Sequence, residues 1–419
     1  MREFEEIESQ VRSYSRGWPT VFVKAKDSTI YDESGKSYID FFAGAGALNY
    51  GHNHPEIQRS LIDYVSGDGV IHALDMHTSA KRDFLTTFND VVLKPRNLDY
   101  RVQFPGPAGN NAVEAAVKLA RKVTGRELVA RFTNAFHGMT LGALALTGNA
   151  MKREGAGVPL GHTVTLPYDN YLDGQMPDLL WIKRLLEDSG SGISQPAAVI
   201  VETVQGEGGI NVASVKWLQA LSSMCKENGI LLIVDDIQMG CGRTGPFFSF
   251  EAAGIEPDIV CLSKSLSGYG LPFALTLMRP ELDVWEPGEH NGTFRGYNPA
   301  FVTATKALDL FWRDSTLQDS TAKKAKLVEE RLTAIVADNP DVAVTTRGSG
   351  LVQALAFDDP RITEAVCTEA FERGLLIETA GPESEVAKLL PPLTISENQL
   401  HEGLDVLAES VKVAVKETQ

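Results

Sequence analysis

Five short apolar runs, separated by longer segments, dominate the middle of the chain. Taken together the runs are rich in Val, Ile and Leu and lack regular polar alternation. They span residues 129–133, 198–204, 230–235, 259–263 and 274–278. Strands that are buried on both faces have this composition. Stretches between them, such as 112–123 and 215–227, repeat apolar residues at helical spacing. The alternation predicts an α/β domain in which a mainly parallel sheet is layered with helices.

The two ends of the chain have a different pattern. Residues 21–40 alternate around a turn at 33–36, which predicts a small hairpin. From 314 to 337 the pattern is helical, and short strands near 342–346 and 351–357 precede a terminal helix, so this end predicts a small α+β domain. We expect the N-terminal segment to pack on that small domain. The expected limits are 1–50 for the N-terminal segment, 51–312 for the large domain and 313–419 for the small domain.

Composition narrows the range of partners. The 419 residues are 43% hydrophobic and 22% charged, as in a globular protein, and 39 basic residues against 55 acidic ones give a net charge of −16. So acidic a chain, without a basic block, is a poor candidate for binding nucleic acid or an anionic membrane. No apolar run has the length of a membrane span, residues 1–10 lack the form of a signal peptide, and none of the four cysteines forms a Cys-x-x-Cys pair. A reduced, cytoplasmic protein is the simplest expectation.

Chemically active side chains follow three of the apolar runs. Glu202 and Glu207 come after the apolar residues 198–201, Asp235 and Gln238 come after 230–234, and Lys264 comes after 259–262. Ligands of α/β proteins gather outside the carboxyl ends of the strands. Each residue alone has a simpler explanation, because an Asp at a strand end often caps a turn and a Lys after a strand is often a solvated loop charge. Their joint placement favours a site.

Pyridoxal phosphate (PLP) chemistry needs such a set. A lysine forms a Schiff base with the cofactor aldehyde, and a carboxylate beside the pyridine nitrogen keeps that nitrogen protonated. The phosphate needs backbone N–H donors, which a loop leading into a helix N-terminus supplies. Residues 105–111, Pro-Gly-Pro-Ala-Gly-Asn-Asn, form such a loop before the predicted helix. Glycine and proline also make ordinary turns, however, and the asparagines could simply cap the helix.

Eight motifs in chain order resemble the class III (omega-amino acid) aminotransferases. They are Gly-His-Asn-His-Pro at 51–55, Ala-Gly-Asn-Asn-Ala at 108–112, Phe-His-Gly at 136–138, Gln-Gly-Glu-Gly at 205–208, Asp-Asp-Ile-Gln at 235–238, Ser-Lys-Ser at 263–265, Gly-Thr at 292–293 and Pro-Pro-Leu at 391–393. The resemblance covers nearly the whole chain. It implies PLP fold type I, with a large mainly parallel-sheet domain layered with helices and a small α+β domain, and PLP as cofactor.

The resemblance also implies roles for individual residues. Lys264 would carry the Schiff base and shuttle the proton, and Asp235 would pair with the pyridine nitrogen. The other residues expected to bind the cofactor are Gly109 and Asn110 at the phosphate, Phe136 stacked on the ring, His137, Glu202, Gln238 near the phenolic oxygen, and Thr293 reaching the phosphate from a neighbouring subunit. The active unit would therefore be a homodimer or a larger homo-oligomer.

Three departures from the family pattern bear on the substrate. Met139 follows Phe-His-Gly where some members have an Arg for a substrate carboxylate, and Met cannot form a charged bidentate pair. Lys388 stands near the Pro-Pro-Leu motif where an Arg partner of Glu207 is usual. Arg295 follows the Gly-Thr motif where a smaller, uncharged residue is expected. These differences argue against a simple transfer of ornithine or 4-aminobutyrate specificity.

Segments 11–16, 235–245, 292–296 and 388–391 are similar to the branch of the family that serves ectoine biosynthesis. This similarity implies transfer of the amino group of glutamate to aspartate 4-semialdehyde by a ping-pong mechanism, giving 2,4-diaminobutyrate and 2-oxoglutarate. Glu207 and Lys388 would form a movable ion pair at the substrate, with Arg16 or Arg295 sharing the cationic role. A plain surface lysine is the alternative for Lys388.

Other functions remain open at this point. Another omega-aminotransferase, acting on ornithine, acetylornithine or 4-aminobutyrate, is the nearest alternative, and a PLP-dependent mutase or decarboxylase is a more distant one. A non-catalytic PLP-binding protein is disfavoured because Lys264 and Asp235 are both present. His52 and His54 could be metal ligands, but no third ligand stands at a useful spacing, so we expect no metal site.

Overall fold

The computed structural model describes residues 2–172 and 179–418. Its strands are β1 (Phe22–Lys26), β2 (Thr29–Asp32), β3 (Ser37–Asp40), β4 (Arg101–Gln103), β5 (Val129–Phe132), β6 (Thr163–Leu166), β7 (Ala198–Val201), β8 (Val204–Gln205), β9 (Asn211–Val212), β10 (Leu231–Asp235), β11 (Ile259–Leu262), β12 (Leu275–Met278), β13 (Val344–Ser349), β14 (Val352–Phe357), β15 (Leu375–Leu376), β16 (Glu378–Ala380) and β17 (Val386–Leu389).

The helices are α1 (Arg2–Glu6), α2 (Tyr14–Gly17), α3 (Ala43–Gly46), α4 (Pro55–Ser66), α5 (Ser79–Phe88), α6 (Gly109–Thr124), α7 (Leu141–Leu146), α8 (Ala150–Glu154), α9 (Leu180–Glu187), α10 (Val215–Glu227), α11 (Asn298–Phe311), α12 (Thr316–Asp338), α13 (Pro360–Glu372) and α14 (Glu397–Thr418). A π-helical turn covers Asn89–Leu93, and short 3₁₀ turns cover Lys94–Arg96, Ser249–Ala253, Lys264–Ser267, Pro280–Leu282 and Thr293–Gly296.

A seven-stranded sheet in the order β4-β12-β11-β10-β7-β5-β6 forms the centre of the large domain. Strands β11, β10, β7, β5 and β6 pair in parallel. Within the described ranges, β12 is the one strand of this sheet that runs antiparallel to its neighbours, β11 and β4. All residues of β5, β7, β11 and β12 are buried, as a sheet covered on both faces requires. The predicted mainly parallel sheet layered with helices is confirmed.

The predicted strand at 198–204 proves to be two strands. Strand β7 ends at Val201, and β8 pairs with β9 in a separate two-stranded ribbon. The chain therefore leaves the central sheet at Glu202, which places that carboxyl at the sheet edge. Two strands of the central sheet, β4 and β6, were not predicted.

Helix α6 covers one face of the sheet and packs against β11 and β12. Its buried stripe includes Val113, Ala116 and Leu119, while Lys118 and Arg121 lie on the other side. The helix ends at Thr124 and is capped by Gly125. The φ of Gly125, 66°, is the left-handed conformation that suits glycine after a helix. It starts at Gly109, three residues before the predicted start, so the glycine and asparagines of the loop form its first turn.

The N-terminal segment contacts the C-terminal part of the chain through strand pairing. The predicted hairpin is a three-stranded antiparallel meander, β1-β2-β3, and β15 adds to it in parallel beside β3. The rings of Tyr38 and Phe371 stack with centroids 5.1 Å apart across this junction. The limits 1–50, 51–312 and 313–419 themselves stay a prediction.

An antiparallel sheet in the order β13-β14-β17-β16 and helices α12, α13 and α14 form the small domain. Helix α14 buries Leu400, Leu404, Leu407 and Val411, which recur at helical spacing, in the core of this domain. All four residues of β17 are buried, and one of them is Lys388. In the described part of the chain no helix is long and apolar enough to span a membrane.

Candidate active site

The carboxyl ends of three adjacent strands bring the predicted residues together. Strands β7, β10 and β11 lie side by side and parallel. Glu202 follows the end of β7, Asp235 ends β10, and Lys264 stands two positions after the end of β11. The carboxyl-terminal ends of these three inner strands therefore hold two carboxyl groups and an amine in neighbouring positions.

Lys264 begins a short 3₁₀ turn and has a φ of 50°, which few non-glycine residues adopt. Its Nζ atom donates a hydrogen bond to the carbonyl oxygen of Ala45, at 2.9 Å. Burial lowers the pKa of this amine, Glu207 opposes that shift, and the positive charge of Lys388 adds to it. A lysine with a lowered pKa carries more of the neutral, nucleophilic form at a given pH.

Asp235 and His137 form a buried pair. The Nδ1 atom of His137 lies 2.7 Å from Oδ2 of Asp235, and their side chains are 0% and 5% exposed. The backbone N–H of Ile237 donates to the other carboxylate oxygen, at 3.2 Å. Nε2 of His137 has no hydrogen-bond partner among the residues that the structure describes. The pair fixes the direction in which the Asp235 carboxylate points.

Glu202 positions the backbone of Phe136. Its Oε1 atom accepts a hydrogen bond from the Phe136 N–H at 2.8 Å. Burial, reinforced by the charge of Asp235, raises the pKa of Glu202 well above its usual range. The ammonium of Lys152 lies 4.5 Å from the centroid of the Phe136 ring. A cation this close to a ring face is attracted to it, so Lys152 supports the ring from one side.

The start of α6 packs tightly on both neighbouring segments. A Cβ atom on Gly109 would lie 3.0 Å from the Ile237 side chain, and one on Gly138 would lie 2.8 Å from Cβ of Asn110. Gly138 also has a φ of 133°, which disfavours any other residue. The helix start therefore touches both the segment after Asp235 and the turn after His137. Its first N–H groups have no acceptor within the helix, so they are free to bind an anion.

This donor set fits pyridoxal phosphate. Lys264 offers a partly buried amine for an aldehyde, and Asp235 a buried, oriented carboxylate for a ring nitrogen. Gly109 and Asn110 offer N–H groups at a helix start for a phosphate. In the described part of the chain, by contrast, no group of three or more His, Cys, Asp or Glu side chains is placed to hold a metal ion. Nε2 of His52 instead lies 2.7 Å from Oδ2 of Asp40.

Lys388 lies between two carboxylates. Its Nζ atom is 2.7 Å from Oε1 of Glu207 and 2.8 Å from Oε1 of Glu378, and its side chain is 0% exposed. The alternative of a surface lysine is therefore wrong. Gln238 joins this group by donating from Nε2 to Oε1 of Glu207 at 3.2 Å and to the Ala45 carbonyl at 2.9 Å. A hydrogen-bonded path thus connects Lys388 with the carbonyl that also holds Lys264.

The pKa shifts of this group follow from burial and pairing. Burial disfavours the charge on Lys388, but Glu207 and Glu378 outweigh that effect and raise its pKa. Burial also opposes ionisation of Glu207, yet Lys388 and then Lys264 lower its pKa to about 2. For Glu378 burial prevails and the pKa is raised. Of the two carboxylates, Glu378 is therefore the less fully compensated.

Sequence reasoning missed Glu378 and Tyr14. Glu378 stands directly opposite Lys388 in the antiparallel pairing of β16 with β17. The Tyr14 hydroxyl lies beside Glu378, and burial together with the charges of Glu378 and Glu207 raises the pKa of that phenol. The Tyr14 ring packs on Phe42, with centroids 5.0 Å apart. The one sequence signal that could have identified Glu378 is that its charge is opposite to that of Lys388 on a neighbouring strand. This signal is useful only when the alignment of the two strands is known.

The structure does not bring Arg16 and Arg295 to Lys388. The Arg16 guanidinium donates to Gln10 and to the Arg12 carbonyl within its own segment. Arg295 donates to Oδ1 of Asn291 at 3.1 Å. Neither guanidinium forms an ion pair with a carboxylate among the residues described, so their substrate role stays a prediction.

Thr293 is exposed and begins a 3₁₀ turn. Its carbonyl oxygen lies within hydrogen-bond distance of His72. A Cβ atom on the preceding Gly292 would lie 3.4 Å from the carbonyl oxygen of Pro105. Thr293 is thus close to the loop that leads into α6 of its own chain, and its expected contact with a neighbouring subunit stays a prediction.

Comparison with known proteins gives consistent matches. Residues 12–411 match the family model described as aminotransferase class-III. The chain is 63% identical over 409 residues to the diaminobutyrate–2-oxoglutarate transaminase of Streptomyces anulatus, covering 98% of this chain and 97% of that protein. It is 57% identical over 416 residues to the enzyme of the same name from Virgibacillus pantothenticus, covering 99% of this chain and 100% of that protein.

Solved structures agree in fold. The ornithine aminotransferase of Toxoplasma gondii, crystallised with partial occupancy of PLP at its active site, superposes with a TM-score of 0.86 at 25% identity over 99% of this chain and 93% of its own. An aminotransferase of Bacillus anthracis gives a TM-score of 0.86 at 23% identity, covering 98% of this chain and 97% of its own.

Proposed function

The chain belongs to the class III aminotransferase family, and from that premise we propose that it is a PLP-dependent diaminobutyrate–2-oxoglutarate transaminase. It moves the amino group of glutamate to aspartate 4-semialdehyde and yields 2,4-diaminobutyrate and 2-oxoglutarate. The observation that carries the proposal is the partly buried Lys264 amine, hydrogen-bonded at the strand ends that also hold the Asp235–His137 pair. The 63% identity to a diaminobutyrate–2-oxoglutarate transaminase supports the choice of substrate.

Pyridoxal phosphate, when bound, supplies an aldehyde that exchanges with amino groups and a protonated ring that withdraws electrons. The residues of the chain bind and orient it. Lys264 holds it through Nζ and, once released, moves a proton at that atom. Asp235, oriented by His137, holds a proton at the ring nitrogen. Phe136 covers one ring face.

Two further contacts complete the proposed cofactor site. The first N–H groups of α6, at Gly109 and Asn110, bind the phosphate. Gln238, whose Nε2 donates to the Ala45 carbonyl, would bind the phenolic oxygen of the cofactor. These assignments rest on the chemistry of the donor set and on the resemblance to the family.

A transaminase of this kind must accept two substrates in turn. Glutamate brings a second carboxylate, which needs a cation, and Lys388 is the buried cation of the site. Glu207 neutralises Lys388 while the semialdehyde is bound and moves away when glutamate enters. Its side chain is 21% exposed, against 0% for Lys388, so Glu207 is the partner with room to move. Lys binds as a point charge and not as a planar fork.

We further propose that the chain works as a homodimer or larger homo-oligomer in the cytoplasm, in the pathway that makes ectoine. Exposed apolar side chains surround the segment of Thr293, among them Ile71, Leu74, Met76 and Phe294. Such a patch suits a protein interface. Through it Thr293 reaches the cofactor phosphate of the neighbouring subunit. The four cysteines are free, which suits a reducing compartment.

A spectroscopic half-reaction experiment tests the activity. Purified holoenzyme absorbs near the visible edge, and we expect glutamate to bleach that band and aspartate 4-semialdehyde to restore it. Release of 2-oxoglutarate in the first step excludes a mutase or decarboxylase. Ornithine, acetylornithine and 4-aminobutyrate serve as competing donors. Faster bleaching by one of these than by 2,4-diaminobutyrate would assign the chain to another omega-aminotransferase.

The assembly has its own test. Light scattering after size exclusion should give at least twice the 45.5 kDa mass of the chain. Mixing the inactive variants Lys264→Ala and Thr293→Asp under exchange conditions should then restore part of the activity, because one site of each mixed dimer is intact. A monomeric mass would contradict the shared site.

A further inference from the structure

One buried carboxylate and one partly exposed carboxylate share a single buried cation near the reacting lysine. Glu207 and Glu378 both pair with Lys388, at 2.7 and 2.8 Å, and Glu378 is only 6% exposed. The Tyr14 hydroxyl, from the N-terminal segment, lies beside Glu378. The pairing of β16 with β17 places Glu378 directly opposite Lys388, so the sheet itself brings the two side chains together.

The charges of this cluster balance only while Lys264 is a free ammonium. The amine of Lys264 is the other positive charge that acts on both carboxylates. In the proposed function Lys264 is not a free ammonium while it holds the cofactor or while it accepts a proton as a neutral amine, and the cluster then holds two carboxylates and one cation. An uncompensated buried charge is costly. The site therefore favours a ligand that brings a positive charge to Glu378.

We propose that Glu378, backed by Tyr14, determines specificity by binding the 2-ammonium group of 2,4-diaminobutyrate and of aspartate 4-semialdehyde. This group takes no part in the reaction, which occurs at carbon 4. The inference rests on the proposed function and assigns to Glu378 a substrate contact within the same site. Glutamate has no such group, since its single ammonium is the one that reacts. Glu378 thus distinguishes the four-carbon substrate from the amino donor.

A matched pair of amines isolates this contact. 4-Aminobutyrate is 2,4-diaminobutyrate without its 2-ammonium group and keeps the reacting amine and the carboxylate. We expect Glu378→Gln to lower kcat/KM for 2,4-diaminobutyrate by about tenfold or more, as for loss of a hydrogen bond to a charged group. 4-Aminobutyrate should change by less than about threefold. The rate with glutamate, measured alongside, reports how far the loss of the Glu378 charge affects Lys388, so the ratio of the two amines is the quantity that decides.

Binding gives a readout without turnover. In the Lys264→Ala background, calorimetry measures the affinity for 2,4-diaminobutyrate and for 4-aminobutyrate with and without Glu378→Gln. Selective loss of diaminobutyrate affinity supports the inference. Equal losses for both amines, or none, overturn it and make Glu378 only a partner that holds Lys388. If the wild type does not react with diaminobutyrate at all, the proposed function fails, and this binding comparison still decides the role of Glu378.

Tyr14→Phe is the second variant, because a half-exposed side chain tolerates loss of a hydroxyl. Tyr14→Phe still tests the role of Glu378 if Glu378→Gln does not fold. The thermal midpoint and the cofactor absorbance show whether Glu378→Gln folds. We expect Tyr14→Phe to slow the reaction with diaminobutyrate by about threefold or more and to spare 4-aminobutyrate. Glu378→Asp should recover part of the lost selectivity, since it restores the charge with a shorter reach. Failure of both expectations would overturn the inference.

Discussion

Nδ1 of His137 lies 2.7 Å from Oδ2 of Asp235 in a pair that is almost entirely buried. The Phe-His-Gly turn thereby supplies a side chain that orients the carboxylate at the end of β10. Its neighbour Gly138 packs on the first turn of α6. Ring-nitrogen and phosphate contacts of the proposed cofactor site are thus tied to one short turn.

Asp235→Asn should slow the proton-transfer step by about 100-fold or more, because a neutral amide does not hold a proton at the ring nitrogen. Cofactor affinity should fall much less, since the shape is kept. Stopped-flow absorbance with glutamate measures the first quantity and equilibrium dialysis the second. Unchanged turnover would make Asp235 a structural strand-end residue and point to Asp236 as the partner.

Lys264→Ala should keep the fold and lose essentially all turnover, because both the nucleophile and the proton carrier are removed. The absorption band of the lysine-bound cofactor should disappear, and phosphate contacts at α6 should still retain some cofactor. Absorbance after desalting, together with thermal unfolding, checks both points. Retained transamination would refute the site.

Lys388→Met should weaken the glutamate half-reaction far more than the semialdehyde half-reaction, because the cation for the second carboxylate is lost. It should also destabilise the fold, by roughly 3–5 kcal/mol, since Glu207 and Glu378 are left without their partner. Lys388→Met combined with Glu378→Gln is the control and should recover part of the stability. Equal effects on both half-reactions would mean that Lys388 does not select the amino donor.

Gly138→Ala should lower cofactor affinity by about tenfold or more, because its new Cβ atom would displace Asn110 at the helix start. Gly125→Ala is the matched control, with a positive φ of 66° and nothing within 4 Å of the added carbon. Both variants suffer the backbone strain, and only the first should disturb the phosphate contacts. Fluorescence titration of the apoenzyme with PLP compares them.

Glu207 should stabilise the folded state above pH 4.5 and lose that contribution as the pH falls toward 2. Lys388 and Lys264 lower the pKa of Glu207 to about 2 in the folded state, against the ordinary value of 4.5. Below pH 4.5 the unfolded chain therefore binds a proton more readily than the folded protein does, and the folded state loses stability until Glu207 is itself protonated near pH 2. The thermal midpoint of Glu207→Gln should lie below that of the wild type at pH 6, and the gap should narrow at pH 3. A gap independent of pH would indicate a loss of packing and not of charge.

In the central sheet, the sequence predicted the strands that are mostly apolar and missed those in which half or more of the residues are polar. Strands β5, β7, β10 and β11 were recognised because they are covered on both faces. Strands β4 and β6 are short and contain Arg, Gln or Thr, so they look like loop sequence. The antiparallel direction of β12 was unpredictable, because a run of apolar side chains fits either direction.

For the candidate site, the sequence predicted residues that stand next to strand ends or within motifs. It missed residues that reach the site only through strand pairing or tertiary contact. Asp235 and Lys264 were found because adjacent parallel strands deliver their ends to one edge. Glu378 lies on a three-residue strand, ten positions from Lys388, and only the pairing of β16 with β17 makes it a partner. Tyr14 lies in segment 11–16, which the sequence analysis used as a sign of family similarity and not as a source of site residues, and tertiary contact alone joins it to Glu378.

The pairing of β3 with β15 has a consequence for synthesis on the ribosome. Lys36, just before β3, donates from Nζ to the carbonyl oxygen of Glu372, which lies 336 residues later. At a translation rate of roughly 5–20 residues per second, the N-terminal meander waits on the order of 20–70 s for its fourth strand. Throughout that interval the free edge of β3 is available to other nascent chains. Synthesis speed and chaperone supply should therefore limit the yield of this enzyme more strongly than its final stability does.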